Sequence, residues 1–207
     1  MVTTATDPAA HAGRWGWYLP VKRVLDVIGS AAALVILSPV WLVIAIAIRV
    51  DSPGPTIFRQ RRIGRFSRPF QVWKFRTMKV GTPNLPSDAV TDELRAGYTT
   101  RVGRLLRRLT LDEIPQFVNV LRGDMSLVGP RPALYNQDDL IRMRHERGID
   151  RVRPGMTGLA QVEGRDAMAL EEKVGYDDAY VRDLSPAMDA RCLIKTVGII
   201  LRGEGVN

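Results

Sequence analysis

The sequence predicts an α-rich α/β fold in which an N-terminal membrane helix precedes a short β-hairpin and a set of amphipathic helices. Three observations predict it. Val27 to Ile48 is an uncharged apolar run with a proline in its middle. Two segments of alternating character follow, separated by a turn over 64–69. Beyond them, apolar residues recur at helical spacing with arginines on the opposite faces. The organisation expected is a flexible tail over 1–20, a re-entrant membrane helix over 21–50 broken at Ser38-Pro39, and a cytosolic domain over 51–207 lying on the membrane.

Residues 1–20 show no periodicity and end in Trp15, Trp17 and Tyr18, an aromatic set suited to a membrane interface. The run that follows is long enough to span a bilayer. A cleaved signal would explain Lys22 and Arg23 before it and Ala45-Ile46-Ala47 near its end, but the run exceeds a signal core and Arg49 follows at once. A buried soluble helix is rarely apolar on every face. Lys22 and Arg23 on one side, and Arg49, Arg59, Arg61 and Arg62 on the other, pull both ends to the cytoplasmic side. Pro39 removes a helical hydrogen bond and kinks or breaks the helix, leaving arms of roughly 15–18 Å. A helix that enters one leaflet and returns meets both conditions; a kinked full span is the alternative.

Next come the extended segments 56–62 and 70–78. In the second, period-two alternation places Lys74 and Arg76 on one face and Trp73 and Phe75 on the other, which gives either a solvated strand face or a phosphate-facing pair. Residues 80–98 are polar and read as a mobile loop. Arg101–Leu109 carries Val102, Leu105, Leu106 and Leu109 on one stripe and Arg101, Arg104, Arg107 and Arg108 opposite. A last helix begins at Ser185 with Pro186 at its first position and carries the stripe Leu193, Val197, Ile200 and Leu201. Both stripes suit either a core or a membrane surface.

The chain has 207 residues, enough for one domain, and a net charge of +8 that favours anionic partners: nucleic acid, an anionic membrane or a phosphorylated substrate. Cys192 is the only cysteine, so no intrachain disulfide forms. With His11 and His145 it makes no zinc pattern, and a hard cation held by carboxylates is the metal that would suit.

Thr110-Leu111-Asp112-Glu113 reads as a helix start, with Thr110 as cap and Glu113 as its capping-box partner. Asp112 is left over, beside a helix N-terminus that favours an ionised carboxylate and attracts phosphate. An ionised aspartate facing a phosphate is a possible nucleophile, provided a divalent metal or arginines such as Arg107 and Arg108 separate the two anions. Gly123 can end the helix. Pro130 and Pro132 stiffen the segment that presents Arg131, whose fork suits phosphate or an ion pair equally. Arg153-Pro154-Gly155 is a second ligand loop or a turn. Residues 101–122 also resemble a helix-turn-helix, but Leu111–Leu121 carries two acids and no base-reading cation.

Six motifs in order resemble the bacterial sugar transferase family, the monotopic phosphoglycosyl transferases that act on polyprenyl phosphate. They are Lys22-Arg23-Val24-Leu25-Asp26, Phe58-Arg59-Gln60, Lys74 to Met78, Leu111 to Gln116, Gly123 to Pro132 and Pro154 to Gly158. The resemblance implies amphipathic interfacial helices around a cytosolic active site, in the minimal catalytic form. It implies transfer of a phospho-sugar from a UDP-sugar to polyprenyl (undecaprenyl) phosphate, with UMP released, at the start of glycoconjugate or exopolysaccharide assembly. It gives Asp112 the covalent aspartyl-phosphosugar intermediate and Glu113 the adjacent acid, the two holding Mg2+. It makes Lys74, Arg76, Arg107 and Arg131 phosphate or nucleotide contacts and places Asp177 near them. The expected location is the bacterial cytoplasmic membrane, catalytic domain on the cytoplasmic face, with anionic lipids as partners, no nucleic acid, and a homo-oligomer left open. Leu159 and the acids in Gln161–Asp166 depart from the common pattern, away from Asp112 and Glu113.

Overall fold

The computed structural model describes residues 16–82, 97–164 and 168–202. Most of the expected tail, the body of the 80–98 loop and Arg165-Asp166 lie outside them. The fold is helix-rich α/β, as expected, with one long apolar helix and two small sheets.

Helix α1 runs from Tyr18 to Asp51. It starts earlier than the expected residue 21. The reason lies in Tyr18, which is buried and donates its hydroxyl to Asp189 at 2.6 Å, while Pro20 is tolerated in a first turn that has no intrahelical acceptors for its N–H groups. Lys22 joins the same carboxylate at 2.5 Å, and Tyr180 donates to the other Asp189 oxygen at 2.7 Å. Arg23 donates to the carbonyls of Val120 and Leu121, and Asp26 accepts from Ser126 Oγ and the Leu127 amide. Polar side chains therefore fasten the first two turns to the rest of the molecule. Further along, the helix passes through Pro39 as one element, with Ser38 Oγ bonded back to the Val35 carbonyl. Only 11% of its most apolar window is buried, which sets it apart from the core helix of a soluble protein.

Strands β1 (Ile57–Ile63) and β2 (Pro69–Phe75) form the expected hairpin, antiparallel, with Arg59 opposite Trp73 and Phe58 opposite Lys74. Helix α2 (Arg101–Arg108) is capped by Thr100, whose side chain accepts from the Gly103 amide. Gly103 lies against the Thr77 backbone so closely that a Cβ would sit 2.0 Å from its carbonyl oxygen. After a short helical turn over Leu111–Glu113 comes α3 (Gln116–Arg122), which ends at Gly123 in the left-handed conformation. The fully buried Asn119 of α3 zips onto the free edge of β2, accepting from the Trp73 amide and donating to the Gln71 carbonyl.

The remaining elements are β3 (Ser126–Val128), β4 (Ala133–Leu134), α4 (Asp138–Glu146), β5 (Gly155–Thr157), α5 (Leu159–Glu163), α6 (Leu170–Arg182) and α7 (Pro186–Leu201). Strand β4 extends the hairpin to the order β2-β1-β4, and β3 pairs with β5 in parallel. Gly129, Gly155 and Gly158 bring the loops after β3 and around β5 into backbone contact; a Cβ on Gly158 would lie 2.1 Å from the Gly129 carbonyl oxygen. Arg153-Pro154-Gly155 runs straight into β5, with Arg153 Nε on the Gly123 carbonyl.

The core has three parts. The largest packs Tyr18, Val128, Ile149, Val174, Tyr180 and Cys192. A second joins Ile44 and Ile48 of α1 to Phe75, Leu106 and Ile114, with Trp41 edge-on to Phe75. The third holds Val72, Val120 and Met125. The two predicted stripes differ. In α2, Leu106 is buried while Leu105 and Leu109 are exposed; in α7, the whole stripe of Leu193, Val197, Ile200 and Leu201 is exposed. These faces join the exposed apolar side of α1 as surfaces without a protein partner among the described residues.

Candidate active site

The chain between α2 and α3 turns inward because Thr110 adopts the left-handed conformation, φ 57°. That geometry forbids an extended N-cap, and the Thr110 hydroxyl caps nothing. The expected capping box is therefore corrected: the Glu113 carboxylate turns to Lys74 instead. The helix-terminus argument for Asp112 is corrected as well. Asp112 sits in the isolated turn Leu111–Glu113, before α3 begins.

Both carboxylates are buried, at 3% and 5% exposure. Lys74, on the inner face of β2, places Nζ 2.6 Å from Glu113 Oε1 and 3.9 Å from Asp112 Oδ2. Arg131, from the loop joining β3 to β4, reaches the same Glu113 oxygen at 3.3 Å. Gln116 adds a hydrogen bond to Glu113 from the first turn of α3. Arg107, in the last turn of α2, bears electrostatically on Asp112.

The two acids have opposite characters. Burial pushes the Glu113 carboxyl up, but the charges of Lys74 and Arg131 and the hydrogen bonds from Lys74 and Gln116 outweigh it and bring it down to about 2. Asp112 is raised: burial and the Glu113 charge exceed the pull of Lys74, Arg107 and Arg131. Asp112 Oδ1 is buried and has no hydrogen-bond partner among the described residues. One acid is thus a fixed counter-charge, and the other keeps an oxygen unengaged.

Four of the expected site residues besides Asp112 gather around it: Glu113, Lys74, Arg131 and Arg107. Two do not. Arg76 lies beyond the end of β2 and donates to the carbonyls of Pro53 and Ser52 and to Ser52 Oγ, so it closes the C-terminus of α1. Asp177, on α6, is buried and takes two bonds from Arg144, at 2.9 and 2.5 Å; burial raises its carboxyl against the Arg144 charge.

Sequence reasoning missed Arg62. It shares the inner face with Lys74 and bonds Gln60 Oε1 and the Pro132 carbonyl; burial, joined by the charge of Arg131, lowers its pKa to about 9. Period-two counting from Lys74 across the hairpin reaches Phe58, Gln60 and Arg62, so the signal was present. The site's four cations against two acids suit an anion larger than either carboxylate.

No cluster of three or more His, Cys, Asp or Glu forms a metal site among the described residues. Magnesium commonly takes one or two carboxylates and completes its shell with substrate phosphates and water. The unengaged Asp112 oxygen beside Glu113 fits that role.

As a recognition helix, α3 fails: only Arg122 of its residues is exposed, and that guanidinium stacks on Trp73.

A model of the bacterial sugar transferase family matches residues 17–203. Among curated relatives, the UDP-glucose:undecaprenyl-phosphate glucose-1-phosphate transferase of Escherichia coli (strain K12) is 40% identical over 86% of this chain and 39% of its own length. The UDP-N-acetylgalactosamine-undecaprenyl-phosphate N-acetylgalactosaminephosphotransferase of Aeromonas hydrophila is 37% identical over 95% of this chain and 49% of its own. The exopolysaccharide production protein PSS of Rhizobium leguminosarum bv. phaseoli is 38% identical over 90% of this chain and 98% of its own. The chain spans less than half the length of the first two.

Proposed function

This chain belongs to the bacterial sugar transferase family, and we propose that it moves a phospho-sugar from a UDP-sugar to polyprenyl phosphate, releasing UMP. The observation that carries the reading is the buried Asp112 with one unengaged oxygen, set among Lys74, Arg107 and Arg131. Names of relatives, which specify a UDP-sugar donor and undecaprenyl phosphate, support the substrate classes.

In the first step an ionised Asp112 oxygen attacks the phosphorus that carries the sugar. The P–O bond to UMP breaks, and UMP leaves with the bond's electron pair. In the second, an oxygen of polyprenyl phosphate attacks the same phosphorus and displaces Asp112, giving polyprenyl-diphosphate sugar. Lys74, Arg107 and Arg131 hold the diphosphate charge; Glu113 stays ionised and fixes Lys74 and Arg131. Asp112 and Glu113 would hold magnesium, whose charge would offset that of the transferring group.

The membrane arrangement belongs to the same reading. The exposed apolar faces of α1, α2 and α7 contact lipid, α1 enters and leaves one leaflet at Ser38-Pro39, and the catalytic domain lies on the cytoplasmic face, where anionic lipids meet its net positive charge.

The test is UMP release from a panel of UDP-glucose, UDP-galactose and UDP-N-acetylgalactosamine, with polyprenyl phosphate and magnesium. One donor should release UMP, and radiolabelled donor should label the protein covalently. Asp112→Asn should abolish both. Full activity in that variant, or no release from any UDP-sugar, would overturn the reading.

A further inference from the structure

Arg131 reaches Glu113 from a loop whose two adjacent carbonyls are each gripped by another arginine. The Arg131 carbonyl accepts from Arg144 Nη1 at 2.7 Å, and the Pro132 carbonyl accepts from Arg62 Nη1 at 3.0 Å. Each gripping arginine is in turn fixed by one side chain. Arg144 gives its Nε and Nη2 to Asp177 Oδ2. Arg62 gives its Nε and Nη2 to Gln60 Oε1, at 3.0 and 2.7 Å. The loop is pinned further by the Gly129 amide on the Thr157 carbonyl and by the Gly155 amide on the Pro130 carbonyl.

These grips matter because a cation that stabilises a transferring phosphoryl group works only if it already stands where charge develops. Arg131 has a long side chain whose aim depends on its backbone, and an error of about 1 Å in such a site costs about a hundredfold. Asp177 does not join the Asp112 cluster; its carboxylate is spent on Arg144. Gln60 is likewise spent on Arg62.

We propose that Asp177 and Gln60 are positioning residues, which act through Arg144 and Arg62 to fix the backbone of Arg131 and hence its guanidinium at the reacting phosphate. The assignment rests on the transferase reading of the site. It gives Asp177 a role that needs no contact with substrate.

The experiment is a double-mutant cycle with the UDP-sugar that releases UMP fastest in the panel, kcat being normalised to folded protein. Asp177→Asn keeps one acceptor oxygen for Arg144, and Asp177→Ala keeps none. Expected are losses in kcat of about 10–100-fold, the typical cost of removing an outer partner, larger for Ala than for Asn, with KM for the donor held within about twofold. In an Arg131→Gln background, neither substitution should cost anything further, because the residue they position is gone. Losses that multiply in the double variants would overturn the proposal, as would unchanged kcat in Asp177→Ala. If the Asp177 variants do not fold, Gln60→Ala carries the same test through the exposed hairpin, with the same non-additivity expected. Full activity in Asp112→Asn would sink the transferase reading instead. Multiplying losses alongside an inactive Asp112→Asn would sink only the positioning role.

Discussion

Asp112 and Glu113 are neighbours in sequence and opposites in chemistry, and the difference predicts a pH dependence. Asp112 must be ionised to attack, and its carboxyl is raised by burial and by the Glu113 charge. The acid limb of kcat/KM for the donor, extrapolated to zero magnesium, should therefore lie above the ordinary aspartate value of about 3.9. Activity is present above that limb and lost as pH falls through it. A limb at or below the ordinary value would contradict the assignment. Glu113→Gln removes the like charge, so any residual activity should show its limb at lower pH. The sequence showed the pair but not the division of labour, because Thr110-x-x-Glu113 matches a capping box that the backbone of Thr110 rejects. Arg76 misled for a related reason. Period-two alternation places it beside Lys74, but β2 ends at Phe75 and the chain turns there toward α1.

Among the elements, β2 depends on a side chain where a sheet would use a strand. Asn119 satisfies one amide and one carbonyl of that edge from within α3. Asn119→Ala would remove the side-chain partner of both part-buried backbone groups, for a loss of about 1–2 kcal/mol, read as a lower thermal midpoint in detergent. An unchanged midpoint would show that the edge is held otherwise. Since β2 carries Lys74 and α3 carries Gln116, activity should fall with stability. Element types were legible from local signals: the hairpin from alternation and a glycine turn, α3 from Gly123, α7 from Ser185-Pro186. Illegible were contacts between distant segments, such as Asn119 on β2 or Arg144 on the Arg131 carbonyl. No spacing encodes them.

For the whole molecule, the proposed membrane arrangement turns on the orientation of α1. With Cys192 replaced by serine, Trp17→Cys and Pro55→Cys stand at the two ends of the helix, both exposed. In the re-entrant arrangement, a membrane-impermeant maleimide should label both only in inverted vesicles. Labelling of one from each side would establish a full span. The pull of basic residues at both ends was readable from sequence, whereas the anchor that fixes the first turn was not. Asp189 lies 167 residues after Lys22, and nothing near either position announces the pair. The separation also has a bearing on biogenesis. The ribosome delivers Lys22 long before its partner carboxylate, so the ammonium stays hydrated until Asp189 has been made. Docking of α7 then buries the ammonium, a step that costs heavily without the aspartate. A chain that lacks Asp189 loses the one carboxylate shared by Tyr18, Lys22 and Tyr180, and the first turn of α1 is left without its latch to α7.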